Sequence, residues 1–203
     1  MSHRKSLLSA IRESDGEALA RLRESASEPL SLSGETFKNA HITGLRLEGI
    51  DLSNTEWSDC MFDRVRFEGV DLSGSYFVGS TALSTQFEGG TLDNASFEGC
   101  VLRRSSFIAC SCVGLELADT EFSDCTLAEL ALDEVDWHGV AFNEGELRQL
   151  QGVSGSLNRV TLRGVKVSDF DTEELELEHC SSTVESQGVP AGFVLRQGRR
   201  QRL

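Results

Sequence analysis

The sequence predicts an all-β fold: a parallel β-helix of about seven coils, four-sided in cross-section, with a helical N-terminal cap. Three observations support it. A large apolar residue returns at every fifth position from Leu32 to Val167, small or apolar residues often lie two positions before it, and glycine or asparagine often lies two positions after it. A period of five fits neither an α-helix, with about 3.6 residues per turn, nor a strand, with a period of two.

The five-residue frame accounts for both strands and corners. Of its 28 central positions, only Ala82, Cys112 and Gly152 are not large apolar residues. Two inward residues separated by one outward residue form a very short strand, so each unit contributes one strand. The residues that follow the strand, such as Asn54 and Gly74, tolerate positive φ and therefore turn the chain.

An interval of twenty residues gives the number of strands per coil. Leu32, Leu52 and Leu72 recur at this interval, as do Phe37 and Trp57, and side chains that stack in successive coils should resemble one another. We therefore expect four units per coil and a stack roughly 34 Å long at the usual strand spacing. The four sides are called faces 1, 2, 3 and 4; they begin at residues 30, 35, 40 and 45 and repeat every twenty residues.

The segment 1–29 is expected to form the helical cap, because its apolar residues, Leu19 among them, fall roughly on one helical face. Gly16 can end one helix, while Ser14 and Glu17 have the spacing of a capping box that opens another. One bent helix and two short helices both fit this pattern. The cap would cover the open apolar end of the coils.

The remaining boundaries follow from where the repeat fades. Residues 30–180 are assigned to the β-helix, and residues 181–203 to a C-terminal cap with a flexible basic tail. The tail contains four arginines and no acid: Arg196, Arg199, Arg200 and Arg202.

Composition limits the function classes. The chain has 33 acidic and 19 basic residues, a formal net charge of −14, so we expect no direct nucleic-acid binding by its acidic faces and no binding to anionic membranes. No apolar run reaches the length of a membrane span or of a signal peptide, which leads us to expect a cytoplasmic protein.

The repeat places the residues that could act in catalysis or metal binding at ordinary structural positions. All six cysteines, Cys60, Cys100, Cys110, Cys112, Cys125 and Cys180, occupy inward positions, so we expect core side chains and neither disulfides nor a metal site. His138 faces outward beside Asp136, and a filled solenoid offers no cleft for acid–base catalysis. We therefore predict no enzyme activity, no catalytic residues and no cofactor.

Charge is distributed very unequally around the coils. Face 1 carries a net charge of −8 and face 2 carries −7, whereas face 3 is balanced and face 4 carries −3. Asp51 and Asp71 should lie directly above one another at strand spacing, where like charges repel. The candidate protein-binding residues on faces 1 and 2 are Asp51, Glu56, Asp59, Asp71, Asp93, Glu98, Glu116, Asp119, Asp133, Glu134 and Asp136.

The repeat resembles that of the pentapeptide-repeat proteins, whose motif A(D/N)Lxx appears here as Val70-Asp71-Leu72-Ser73-Gly74 and Ile50-Asp51-Leu52-Ser53-Asn54. The resemblance covers about residues 30–180 and implies a right-handed quadrilateral β-helix with leucine and phenylalanine stacked inside. Some members of this family mimic DNA, bind DNA gyrase or topoisomerase IV, and thereby modulate the enzyme or protect it from inhibitors, a form of antibiotic resistance.

Two functions are therefore carried forward. In the first, the acidic faces act as a DNA mimic that binds a type II topoisomerase. In the second, the protein is a scaffold or adaptor that binds an unknown protein partner through its non-repeat ends. Both a monomer and a homodimer are compatible with the sequence, because the open ends of a solenoid invite end-to-end pairing unless they are capped.

Overall fold

The computed structural model describes residues 3–151, 154–170, 174–183 and 185–196. Its helices are α1 (His3–Arg12) and α2 (Gly16–Ser25). The strands of the first four coils are β1 (Thr36–Lys38), β2 (His41–Thr43), β3 (Arg46–Glu48), β4 (Glu56–Ser58), β5 (Met61–Asp63), β6 (Arg66–Glu68), β7 (Tyr76–Val78), β8 (Thr81–Leu83), β9 (Gln86–Glu88), β10 (Ser96–Glu98), β11 (Val101–Arg103) and β12 (Ser106–Ile108). The later strands are β13 (Glu116–Ala118), β14 (Glu121–Ala128), β15 (Val135–His138), β16 (Ala141–Leu150), β17 (Ser154–Asn158), β18 (Thr161–Arg163), β19 (Lys166–Phe170), β20 (Glu174–Glu178), β21 (Ser181–Thr183) and β22 (Val194–Arg196).

The strands form the predicted parallel β-helix. Face 2 is a sheet of eight strands, β1-β4-β7-β10-β13-β15-β17-β20, and faces 3 and 4 together form a sheet of fourteen. Phe37 pairs with Trp57, and Leu102 with Phe122, so the register is twenty residues. Face 1 is held by isolated parallel bridges such as Asp51 to Asp71. The eight rungs of face 2 delimit seven full coils, and the predicted fold class is confirmed.

The core consists of columns of identical or similar side chains. The rings of Phe37 and Trp57 stack with centroids 3.9 Å apart and an interplanar angle of 5°. Phe77 and Phe97 continue the column at 4.5 Å, and a second stack on face 4 contains Phe67, Phe87 and Phe107. These side chains are almost fully buried, which makes the columns the main hydrophobic contribution to stability.

A ladder of polar side chains lies inside the apolar columns. The Cys60 thiol donates to the carbonyl oxygen of Phe37 at 3.4 Å, and the Ser80 hydroxyl donates to that of Trp57 at 3.0 Å. Thr120 makes the equivalent bond one coil beyond Cys100. Cysteine, serine and threonine alternate at this inward position because each is small and each is a donor.

The corners have the backbone conformation that the repeat predicts. Asn54 has a φ of 55° and Gly74 a φ of 64°. One feature differs from the expected separate short strands: β14 and β16 run through the corner between faces 3 and 4. There Gly145 lies so close to the preceding coil that a Cβ atom would be 2.1 Å from the carbonyl oxygen of Cys125. Only glycine fits this close approach.

The N-terminal segment forms two helices that cover the first coil. Leu7, Ile11 and Leu19 are buried and belong to the core of the β-helix. The proposed capping box at Ser14 is wrong: the N-cap of α2 is Asp15, whose carboxylate accepts from the backbone of Ala18. Sequence spacing alone could not show this, because the Ser14 hydroxyl is occupied by a tertiary bond from the backbone N–H of Thr43 at 2.9 Å.

The parallel pairing continues beyond the fading repeat. β21 pairs with β18, and β22 pairs with β21, so face 3 gains a further rung from residues 194–196. Gly152, which interrupts the frame, and Arg199, Arg200 and Arg202 of the basic tail lie outside the described residues.

The two tryptophans differ in how their indole N–H groups are satisfied. Trp57 donates to the hydroxyl of Thr55 at 2.8 Å. Trp137 occupies the same position on the same face, but its N–H is buried and finds no acceptor among the described residues. The residue equivalent to Thr55 is Val135, which has no oxygen. A buried donor without a partner costs about 1–3 kcal/mol.

We therefore expect Val135→Thr to raise the free energy of unfolding by about 1 kcal/mol, because the new hydroxyl would accept from Trp137. The reciprocal change, Thr55→Val, should lower it by about 1–3 kcal/mol. Urea unfolding followed by tryptophan fluorescence measures both. A Val135→Thr variant that is less stable than the parent protein would show that the missing acceptor for the Trp137 N–H does not reduce the stability of the protein.

The six cysteines are free and buried, as predicted. Burial raises the pKa of each thiol, to about 11 for Cys100, and so disfavours the reactive thiolate.

We expect no cysteine of the folded protein to react with a disulfide reagent such as DTNB at pH 8 within minutes. All six should react after unfolding in urea under the same conditions. Rapid reaction of any thiol in the folded state would contradict the core assignment.

Candidate protein-binding faces

The acidic residues of face 1 lie at the corners of the coils and are largely engaged there. Asp51 pairs with Asp71 in the next coil, as the repeat predicts. The Asp51 carboxylate accepts from the backbone N–H of Ser53 at 3.0 Å and from the Ser31 hydroxyl at 2.7 Å. Asp71 accepts from the N–H of Ser73 at 2.9 Å. These carboxylates stabilise the turn that follows each bridge.

The remaining acids of face 1 follow the same rule in part. Asp93 accepts from the Ser111 hydroxyl at 2.6 Å and from the N–H of Val113 at 3.0 Å, and Asp133 accepts from the Ser154 hydroxyl. The exposed corner residue Glu134, by contrast, uses no carboxylate oxygen in a hydrogen bond or ion pair with a described residue. Four of the five acids of face 1 up to residue 134 therefore accept hydrogen bonds from neighbouring turns.

Asp51 shows how this engagement fixes the ionisation state. Partial burial acts to raise its pKa, but the hydrogen bonds from Ser53 and Ser31 outweigh burial and hold the pKa below the ordinary value of an aspartate. The carboxylate is thus ionised at neutral pH while it lies one strand spacing from Asp71. The donors around both carboxylates offset the repulsion between them.

Face 2 carries the accessible charge. Glu116 and Asp136 pair in register on β13 and β15, so two exposed carboxylates are stacked. Glu116 and the corner residues Asp59 and Asp119 are exposed, and their side chains make no hydrogen bond or ion pair within the described part of the chain. Glu98 accepts from Tyr76. Asp136 accepts from the Ser156 hydroxyl at 2.7 Å, whereas the carboxylates of Glu116, Asp59 and Asp119 remain available to a partner.

Few bases neutralise the acidic faces. Of the eleven candidate residues, only Glu56 forms an ion pair with a described residue, at 3.7 Å from Lys38. The Ser58 hydroxyl is the main cause that lowers the pKa of Glu56. Arg4 of α1 pairs with Glu35 at the first coil, which neutralises the edge next to the cap. The middle of face 2 keeps its negative charge.

Tyr76 lies on face 2 but was not among the candidate residues, because those were chosen by their negative charge. Its ring lies among the carboxylates with 37% of the residue exposed, one of three large apolar residues so exposed in the described chain. Its hydroxyl donates to Glu98, and this bond raises the pKa of the tyrosine. The sequence could have indicated this residue, because Tyr76 occupies an outward strand position and most large apolar residues of the repeat occupy inward ones. The ring gives the acidic face one rigid, amphipathic contact.

Other site types find little support in the described residues. They contain no group of three or more His, Cys, Asp or Glu side chains that could hold a metal ion. None of the described helices is long and apolar enough to cross a membrane. His138 lies on face 2 with its ring nitrogen against the guanidinium of Arg159.

Comparisons with known proteins agree with the repeat. A family model described as pentapeptide repeats matches residues 40–79 in eight copies. No curated protein matches the sequence.

Solved structures that are similar to the chain include two proteins of different description. A trypsin-treated form of QnrB1, a plasmid-mediated fluoroquinolone resistance protein, is 19% identical, with 83% of this chain and 93% of that chain covered and a TM-score of 0.45. HetL, a pentapeptide-repeat protein involved in heterocyst differentiation regulation from the cyanobacterium Nostoc sp. strain PCC 7120, is 17% identical, with 85% and 89% covered and a TM-score of 0.39.

The predicted resemblance to the pentapeptide-repeat proteins is thus confirmed. Residues 40–79 match the pentapeptide-repeat model, and the same five-residue frame extends from Leu32 to Val167.

Proposed function

We propose that the protein is a non-catalytic interaction protein that presents face 2, with face 1 beside it, to the DNA-binding surface of a protein partner. The first candidate partner is a type II topoisomerase, DNA gyrase or topoisomerase IV, which the protein would modulate or protect from inhibitors. The observation that carries this proposal is the row of exposed carboxylates that β13, β15 and the adjoining corners hold in register. Those of Glu116 and Asp119 have no partner among the described residues, and that of Asp136 accepts from the Ser156 hydroxyl at 2.7 Å.

The geometry of that row supports mimicry of DNA. The net charge of −15 on faces 1 and 2 spreads over about 38 Å at strand spacing, or roughly one charge per 2.5 Å. Duplex DNA carries one charge per about 1.7 Å of its axis. A rigid rod with this charge density would compete for a basic groove, and its binding would weaken as salt rises.

The alternative, a scaffold that binds through its non-repeat ends, receives less support from the contacts. The apolar residues Leu7, Ile11 and Leu19 of the helices are buried in the core and are therefore not available to a partner. Arg4 and Arg23 pair with Glu35 and Glu48 of the β-helix. These contacts describe a cap, and the long faces remain the larger free surface.

The test uses purified gyrase and a charge reversal on face 2. The parent protein should inhibit supercoiling or protect the enzyme from a quinolone, and Glu116→Lys with Asp119→Lys should raise the required concentration by about tenfold or more. Asp51 and Asp71 are left unchanged, because reversing them would remove acceptors that stabilise the corners.

The matched control reverses two exposed acids elsewhere, Glu88→Lys with Asp124→Lys, for the same change in net charge. This variant should act like the parent protein. Equal loss in both variants would indicate a net-charge effect, and neither inhibition nor protection by the parent protein would remove the topoisomerase proposal.

A further inference from the structure

The edge where faces 3 and 4 meet has the opposite charge to faces 1 and 2. Four arginines, Arg64, Arg66, Arg103 and Arg104, lie there in the second and fourth coils; this group is called the arginine edge. All four are exposed. In a chain with a net charge of −14, so local an excess of bases is unexpected from composition alone.

Two of the four arginines of the arginine edge, Arg103 and Arg104, have no acidic partner among the described residues. Arg64 pairs with its neighbour Asp63 at 2.9 Å. The side chains of Arg66, Arg103 and Arg104 make no hydrogen bond or ion pair with any described residue. Arg46, one coil earlier, differs because it is engaged by Glu68 at 2.8 Å. The guanidinium groups of Arg103 and Arg104 are therefore available to an external anion, whereas the charge of Arg66 already acts on Glu68.

The backbone fixes the spacing of the arginine edge. The N–H of Arg64 donates to Leu83 at 2.9 Å, that of Ser84 to Arg103 at 2.9 Å and that of Arg104 to Ser123 at 2.9 Å. The corner column therefore runs Arg64, Ser84, Arg104 and ends at the exposed Asp124. Arg64 and Arg104 are two coils apart, which is about 10 Å at strand spacing.

A column that contains two apolar side chains, Met61 and Val101, with Thr81 between them runs along face 3. Met61 pairs with Thr81, and Thr81 pairs with Val101, so the three stack along the rod. Met61 is 46% exposed. The column ends at Glu121, which follows Val101 in register. Methionine and arginine are both enriched at protein interfaces.

We propose that this surface binds an amphipathic helix of another protein, with its apolar stripe on Met61, Thr81 and Val101 and a flanking acidic stripe on Arg103 and Arg104. The strands along the rod are hydrogen-bonded to neighbours on both sides, so they offer no backbone edge to an extended peptide. A helix satisfies its own backbone, and its pitch of about 5.4 Å is close to the coil spacing of about 4.8 Å. One side chain per turn can therefore meet one coil.

The apolar column favours a protein helix over nucleic acid as the occupant. A phosphate backbone would leave Met61 and Val101 without apolar partners, and the acidic remainder of the chain would repel a duplex at a distance. The surface lies apart from faces 1 and 2, so it adds a second binding activity to the proposed function and is tested independently of it.

The experiment measures binding of two synthetic helical peptides by fluorescence anisotropy at low salt. The first carries leucine at i, i+4 and i+7 with glutamate beside each leucine; the second has glutamine for every glutamate. We expect the acidic peptide to bind and the neutral peptide to bind about tenfold more weakly. Arg103→Gln with Arg104→Gln should weaken the acidic peptide by about tenfold, and Met61→Ser should also weaken it.

Arg163→Gln with Lys166→Gln is the matched control, since it removes two exposed charges from the same faces near the other end of the rod. This variant should bind the acidic peptide like the parent protein. The proposal is overturned if the acidic peptide does not bind, if the Arg103 and Arg104 variant binds it unchanged, or if a 20-base-pair DNA duplex displaces it from the parent protein. In every case circular dichroism of the variants confirms that the fold is kept.

Discussion

Backbone pairing at an offset of twenty residues is the interaction on which the rest of the structure depends. The N–H of Leu32 donates to Asp51 at 2.8 Å, and that of Leu52 donates to Asp71 at 2.8 Å, and the same step repeats along the rod. Each residue is thereby placed above its counterpart in the preceding coil. Core stacking, corner geometry and the rows of surface charge all follow from this single register.

The same register stacks carboxylates of successive coils, where they repel one another. The surroundings of the stacked carboxylates differ between the two acidic faces. On face 1 the stacked carboxylates of Asp51 and Asp71 accept hydrogen bonds from Ser53 and Ser73. On face 2 Glu116 stands above Asp136. There the Glu116 carboxylate has no partner among the described residues, and Asp136 accepts only from the Ser156 hydroxyl. Face 2 thus keeps more accessible charge than face 1, which is why the proposed function places a partner on it.

Sequence predicted the features that depend on residue type at one position. The apolar frame, the inward cysteines and corners such as Asn54 are of this kind, because burial and positive φ select few residue types. Features that depend on a contact between distant segments were missed. Asp15 caps α2 because Ser14 is taken by Thr43. The bond that Asp51 accepts from Ser31 and the bond that Tyr76 donates to Glu98 likewise depend on neighbours a whole coil away.

The four-sided coil also restricts how such a chain can change in length. An insertion of five residues would keep every core column apolar, yet it would rotate all later residues onto the next face and break up the acidic rows. A duplication of twenty residues would add one complete coil, about 4.8 Å long, and leave each face in place. Charged faces of this fold can therefore lengthen by tandem duplication of whole coils, and their reach changes in steps of one coil.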